Sequence, residues 1–336
     1  MNHSPEQFLR RVTGYWVSQS IYVAAKLGVA DELIDGPRTA QELAQKLGCH
    51  AEFLHRVLRL LCTEGIFRET AQGFELTPFA QHLRSDTQTS MRAAVCMYGE
   101  AFFQTWGDML HTVRTGETAF DHHFGKPVFD YYEEHPEASE TFNQAMTDLG
   151  RTMYPNQAMI DAYDFSKHPV IIDVGGGHGD FLCDILAANP ECRGSVYDLE
   201  HVIVGASRTI EVRGLTHRAQ VRRCDFFEEV MPGGDACILK RIIHDWNDND
   251  AVRILSKCAD SLPTDGRVLV VETVIPDGNE PFFGKNLDLH MMMITGGLER
   301  TEEEYRGIFE GAGLELVRVI PTACPLSIVE GKRREG

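Results

Sequence analysis

Residues Val170–Phe181 read VIIDVGGGHGDF. An apolar run ending in Asp173 and Val174 enters Gly175, Gly176, Gly177 and Gly179, and the helix-forming stretch FLCDILAAN follows. A strand that feeds a glycine-rich turn and then a helix is a nucleotide-binding corner, because glycine lets the backbone approach a ligand closely and adopt positive φ. The spacing narrows the ligand. A dinucleotide fingerprint requires G-x-G-x-x-G, but counting from Gly175 the sixth position is Asp180. A phosphate-cradling P-loop requires G-K-[ST], which the turn lacks. What remains is Asp173-x-Gly-x-Gly-x-Gly with no lysine or arginine in the turn. That pattern suits a ligand without phosphates, such as the adenosine and methionine moieties of S-adenosylmethionine (SAM).

Around this corner, from Lys167 onward, strands alternate with helices. VIIDVG, GSVYDL, AQVRRCDF, ACILKRII and RVLVVETVI are short, apolar and rich in β-branched residues, as buried parallel strands are. LELVRVIPTA and LSIVEGK are two further strand-like stretches near the end. The pattern predicts an α/β, doubly wound sheet with its ligand at the carboxyl ends of the strands. The preceding residues are mainly helical. Tyr15, Trp16, Ile21, Val23, Ala24, Leu27 and Val29 recur at helical spacing, and Gly36-Pro37 interrupts them. Thr39 with Glu42 forms a capping-box signature, and Phe53, Leu54, Val57, Leu58, Leu60 and Leu61 mark one side of the next helix. Two short strands in IFRETAQGFELTP complete a helix–helix–hairpin order, a winged-helix pattern. Residues 90–165 are predicted helical and rich in aromatics and methionine. The domain boundary falls near Tyr163–Lys167, which divides the chain into 1–164 and 165–336.

A winged helix in isolation suggests DNA binding, but this one lacks a basic face. Between Pro37 and Ser85 there are six Lys/Arg and five Asp/Glu. Phosphate binding needs an excess of positive charge. The whole chain carries a formal charge of −18, which disfavours nucleic acid and anionic membrane surfaces. A dimerisation or lid role is expected instead. Nine cysteines, none at C-x-x-C spacing, read as free thiols in a reducing cytoplasm rather than a zinc site or disulfide framework. His122-His123, adjacent and without a nearby third ligand in sequence, reads as solvated loop rather than a metal pair.

Asp198 stands 23 positions after Gly175, where an acidic residue reaches a ribose in such folds. Asp225-Phe226, placed by the pattern at the end of the third strand, offers an acceptor for an adenine amino group beside an apolar surface for the ring. KRIIHDW, Lys240–Trp246, leaves the fourth strand for a helix with Asp248 or Asp250 as its cap, and puts His244 just past the strand end. An imidazole there is suited to act as a base near neutrality. Glu272 interrupts the apolar run VLVVETVI, and a buried carboxylate needs a partner, for which an imidazole N–H is a natural choice. Glu299, in GGLERTEEE, reads equally as a site acid or as an exposed acid at a helix start.

Taken together these segments resemble the SAM-dependent O-methyltransferases that include plant caffeate and flavonoid, hydroxyindole, and bacterial polyketide and phenazine methyltransferases. VAAKLGVADEL, LTPFAQHLRSD, DVGGGHGDF, YDLEHV, CDFF, LKRIIHDWND, GRVLVVETVIPDG and GGLERTEEEYRGIFEGAGL occur in the family's order and cover nearly the whole chain. The resemblance implies a Rossmann-like class I methyltransferase domain behind an N-terminal winged-helix dimerisation domain. It implies an intertwined homodimer in which the N-terminal helices help close the partner's pocket. It further implies SAM contacts at Gly175, Asp198, Asp225, Phe226 and Lys240, to which Asp173, Gly177 and Leu199 are added as candidate cofactor residues. His244 is implied as general base, flanked by Glu272 and Glu299, acting on a small aromatic hydroxylated acceptor without a metal. Arg241 departs from the uncharged residue or His more usual after the lysine, and Met291-Met292-Met293 falls where the family lines its acceptor pocket. Two rival readings remain: a non-methylating reaction, hydroxylation or pericyclic, on the same scaffold, and a SAM-sensing regulator without catalysis.

Overall fold

The computed structural model describes residues 4–229 and 233–334. The chain divides into two compact units, residues 1–110 with 123–153, and residues 111–122 with 154–336.

The first unit is mainly helical. Ser4 caps the helix Pro5–Val12, and the helix Gly14–Leu27 ends at Gly28 in the left-handed region, φ 76°. The Thr39–Glu42 capping box is formed in full ahead of the helix Ala40–Leu47. In the helix Ala51–Thr63, Leu54, Leu58 and Leu61 are buried at the spacing of one helical face. Phe53, expected on that face, is 58% exposed; one residue from Leu54 it is rotated about 100° from it, and it stacks on His50 instead. Strands β1 (Phe67–Thr70) and β2 (Gly73–Leu76) pair antiparallel as the wing. Gly73 is required there. A Cβ would lie 2.3 Å from the Arg38 carbonyl, where Arg38 bridges to Phe74. Arg92 binds the Ala25 carbonyl and the Asp31 carboxylate at 2.8 Å each, tying the helix Arg92–Gly99 to the N-terminal helices.

The second unit is built on a seven-stranded sheet. Its strands are β3 (Val170–Val174), β4 (Arg193–Asp198), β5 (Ala219–Arg223), β6 (Ala236–Lys240), β7 (Arg267–Glu272), β10 (Leu314–Pro321) and β11 (Ser327–Arg333). Their order is β10-β11-β7-β6-β3-β4-β5. The first five are parallel, and β11 runs antiparallel to both β7 and β10. Helices cover the sheet; Ile254, Leu255 and Cys258 of one and Tyr305, Ile308 and Phe309 of another join the core beneath β6 and β7. A second, two-residue sheet, absent from the sequence reading, pairs β8 (Val274–Ile275) with β9 (Arg300–Thr301). Two local expectations are corrected. Asn247, not Asp248 or Asp250, caps the helix Asp248–Ser261, its side chain accepting the Asp250 N–H. Strand β5 stops at Arg223, so Asp225 and Phe226 lie in the turn beyond it.

The parallel register aligns the carboxyl ends. Val174 pairs with Tyr197 and Lys240 with Val271. Gly175, Asp198, Arg241 and Glu272 therefore all sit one step past the aligned rungs, on the same edge of the sheet.

Candidate active site

His244 occupies a single 3-10 turn, Ile243–Asp245, directly after β6 and is 3% exposed. Its Nδ1 lies 2.7 Å from Glu299 Oε1 and 3.8 Å from Glu272 Oε2, while Nε2 lies 3.8 Å from Asp245 Oδ1. The imidazole hydrogen bond is thus made with Glu299, and the expectation of Glu272 in that role is corrected. Glu272 Oε1 instead accepts the backbone N–H groups of Ile242 at 2.9 Å and His244 at 3.3 Å, bracing the turn on which the ring is mounted. The exposed alternative for Glu299 is also overturned, since it is 2% exposed. The small β8–β9 sheet explains the convergence: it pins the segment after Glu299 to the segment after Glu272. Gly297 permits the approach, because a Cβ there would fall 2.0 Å from the His244 carbonyl oxygen.

Electrostatics follow from this packing. Burial alone would pull the imidazole down, but Glu272, Asp245 and Glu299 outweigh it and hold His244 up at about 9. Burial pushes the Glu272 carboxyl up. The second carboxylate oxygens of Glu272 and Glu299 are buried without a hydrogen-bond partner. The ligand atoms of His244, Glu272 and Glu299 lie within 4.8 Å of one another, so the trio could hold a metal only by giving up the Nδ1–Glu299 hydrogen bond.

The glycine turn forms the neighbouring half of the site. Gly175 and Gly177 adopt φ of 64° and 57°. Asp198 shapes this turn: Oδ2 accepts the Gly177 N–H at 2.8 Å and Oδ1 accepts the Leu199 N–H at 2.7 Å. Leu199 is 46% exposed at the start of the following helix. Asp225 Oδ1 accepts the Phe227 N–H, and Phe226 lies edge-on to Trp246. Beneath the turn Asp173 is buried, and burial lifts its carboxyl to about 7 against the pull of Lys240. One Asp173 oxygen has no partner, and a Cβ on Gly176 would meet it at 2.6 Å. Lys240 donates to Asn156 Oδ1 at 2.5 Å and lies 5.0 Å from the centre of the Phe181 ring; burial and the Arg241 charge lower its pKa to about 8. An orphaned buried acceptor, a cradle that glycines keep open, and carboxylates at the end of β4 and in the turn after β5 fit a ligand rich in N–H and O–H donors, as SAM is.

Sequence reasoning missed several supporting residues. Arg300, fully buried, donates to the carbonyls of Ile243 and Trp246 and to Asp248, binding the His244 turn to β9. Asp288 Oδ1 accepts the Glu299 N–H at 3.0 Å. His290, whose imidazole burial and Arg241 hold down at about 4, and Tyr154, under the Arg241 guanidinium at 4.7 Å, belong to the same edge. Arg241 itself has φ 55°, the left-handed region unusual for a side-chain-bearing residue. Nothing in LERTEEE sets Arg300 apart from its charged neighbours; only tertiary burial distinguishes it.

Comparison with known proteins accords with this geometry. A family model for the O-methyltransferase domain matches residues 106–315, and one for the O-methyltransferase dimerisation domain matches residues 9–86. The chain belongs to the O-methyltransferase family, as a SAM-dependent enzyme. It is 46% identical over 325 residues to the phenazine O-methyltransferase PhzM of Lysobacter antibioticus, covering 96% of this chain and 95% of that one. The crystal structure of LaPhzM superposes with a TM-score of 0.90 at 45% identity, over 98% of this chain and 99% of that one. An O-methyltransferase (NcsB1) from neocarzinostatin biosynthesis, in complex with SAM and 2-hydroxy-5-methyl naphthoic acid, superposes at 0.84 with 32% identity, over 95% and 96% of the two chains. Among the described residues no helix is long and apolar enough to cross a membrane.

Proposed function

We propose that this enzyme methylates a hydroxyl of a small, flat aromatic acceptor, with His244 as the general base. The observation that carries the reading is the buried 2.7 Å contact between His244 Nδ1 and Glu299. With the Nδ1 proton committed to a carboxylate, Nε2 is the atom left to receive the acceptor's proton. SAM supplies an electrophilic methyl on a sulfonium. A phenol with pKa about 10 is scarcely ionised near neutrality, so removing its proton as the oxygen attacks is the task that falls to the protein. Glu299 fixes the tautomer and stabilises the imidazolium that forms. Glu272 holds the backbone of the turn and adds negative charge beside the ring. Gly175, Gly177, Asp173, Asp198, Leu199, Asp225, Phe226 and Lys240 form the proposed cofactor surface. The phenazine and naphthoic acid named for the relatives support a fused-ring acceptor, which the adaptable Met291–Met293 run in the helix Gly284–Ile294 suits.

The domain roles are part of the proposal: 1–164 for dimerisation and as a substrate lid, 165–336 for SAM and catalysis, working in the cytoplasm as a homodimer. Phe8, Leu9, Val12, Tyr15 and Trp16 support it, each more than half exposed on the first two helices. Isolated apolar side chains on a surface are ordinary, but a row of five large ones marks an interface. The test of the catalytic reading is His244→Ala, assayed with labelled SAM against a panel of hydroxylated phenazines, naphthoates and catechols. Turnover is expected to fall by about 10²–10⁴-fold with SAM affinity unchanged, and raised pH is expected to restore part of it. A fully active variant on a verified phenolic acceptor would sink the reading.

A further inference from the structure

His122 and His123 are adjacent in sequence but part company in the fold. Both lie on the short helix Ala119–Phe124 rather than in a loop. His123 Nδ1 bonds Asp108 at 2.8 Å. His122 stacks on His111, ring centres 3.6 Å apart and planes 13° from parallel. His111 Nε2 in turn lies 2.7 Å from Glu117 Oε2. Ligand-type partners are therefore close to His122, without His123 among them: the donor atoms of His111, Glu117 and His122 all fall within 4.8 Å of one another.

We propose that His111, Glu117 and His122 form a divalent transition-metal site, separate from the His244 cluster and sharing no residue with it. Two imidazoles and one carboxylate favour zinc, nickel or copper over magnesium or calcium, which prefer all-oxygen shells. The scaffold around the three is already ordered. Gly116, φ 79°, turns the chain, with its N–H on the Thr112 carbonyl at 2.8 Å. Glu117 N–H bonds Thr115 Oγ1, Asp121 N–H bonds Thr118 Oγ1, and His122 N–H bonds the Thr118 carbonyl. Two short helices and a three-residue turn thus present the ligands with little backbone left to order on binding. Zinc bonds of about 2.0–2.1 Å require donors about 3.3 Å apart. The rings must therefore fan open, and His111 must exchange its hydrogen bond to Glu117 for the metal. Glu117 and His122 are exposed, so the remaining coordination positions fall to water. The strongly acidic chain, −18, raises the local concentration of cations.

The experiment uses the full chain, stripped with a chelator and desalted, titrated with zinc by calorimetry and with cobalt by visible absorption. One tight zinc per chain and the intensified bands of a low-coordinate cobalt site are expected. His111→Ala, Glu117→Ala and His122→Ala should each weaken zinc about tenfold or more, while His123→Ala, one position away, leaves it within twofold. His244→Ala should leave zinc binding unchanged, because the buried trio is the competing location. Zinc lost in His244→Ala but kept in His122→Ala would overturn the proposal, as would equal affinity in wild type and His111→Ala, or no binding at equimolar zinc.

Discussion

Glu299→Gln is the substitution that most sharply tests how the site handles its proton. The amide keeps an oxygen to accept from Nδ1 but loses the negative charge. A buried hydrogen bond to a charged group contributes about 1.5–3 kcal/mol, and one pKa unit corresponds to about 1.36 kcal/mol. The imidazole, held up at about 9 with Glu299 in place, should fall by about one to two units. The sign is fixed: a carboxylate favours the protonated ring, so its neutralisation favours the free base. At pH 7 the base form rises from about one molecule in a hundred to between about a tenth and a half. At high pH both enzymes hold a neutral ring, and only the loss of imidazolium stabilisation in the transition state remains, up to about a hundredfold. The ascending limb of kcat/KM should therefore move to lower pH while its plateau drops, so that the two profiles converge or cross near neutrality. The assay is kcat/KM from about pH 6 to about pH 10 with an acceptor whose hydroxyl ionises above that range. Imidazole ¹⁵N shifts provide a reading independent of turnover. A limb that stays in place, or moves upward, would refute the assignment of Glu299 as the charged partner.

Asp198→Ala removes the acceptor for the Gly177 and Leu199 N–H groups as well as the proposed ribose partner. Calorimetry should show SAM weakened by about 1.5–3 kcal/mol, and unchanged affinity would return Asp198 to a purely structural role. Trp16→Glu places a charge in the exposed apolar row of the first helices; light scattering is expected to show a dimer for wild type and a shift toward monomer for the variant, and a monomeric wild type at micromolar concentration would exclude the interface. Arg300→Lys cannot reproduce the fork of donors to Ile243, Trp246 and Asp248, and should cost about 3 kcal/mol of stability in denaturant titration, with equal midpoints counting against the clamp.

The glycine corner was legible because its residues act within a dozen positions: φ, turn and helix start are local. The capping box at Thr39 and the alternation of buried strands were legible for the same reason. The pairing of His244 with Glu299 was less so. His244 and Glu299 are 55 residues apart, and their pairing depends on the two-residue β8–β9 contact, too short to leave a pattern. Sequence suggested Glu272 as the imidazole partner because it interrupts an apolar strand; the strand does bury it, but aims it at the backbone of the turn. The neighbours of His122 were not legible either, since His111 and Glu117 come from the preceding helix and turn. Phe53 shows the limit of counting apolar residues on a helix, where a single position decides between core and surface.

Arg300 grips main-chain oxygens at Ile243 and Trp246 as well as the Asp248 carboxylate. Every amino acid brings the same carbonyl, so this strap on the His244 turn is set by backbone position and not by the side chains at 243 and 246. Those side chains answer to other demands: Ile243 is buried in the core and Trp246 packs edge-on against Phe226 and Phe227.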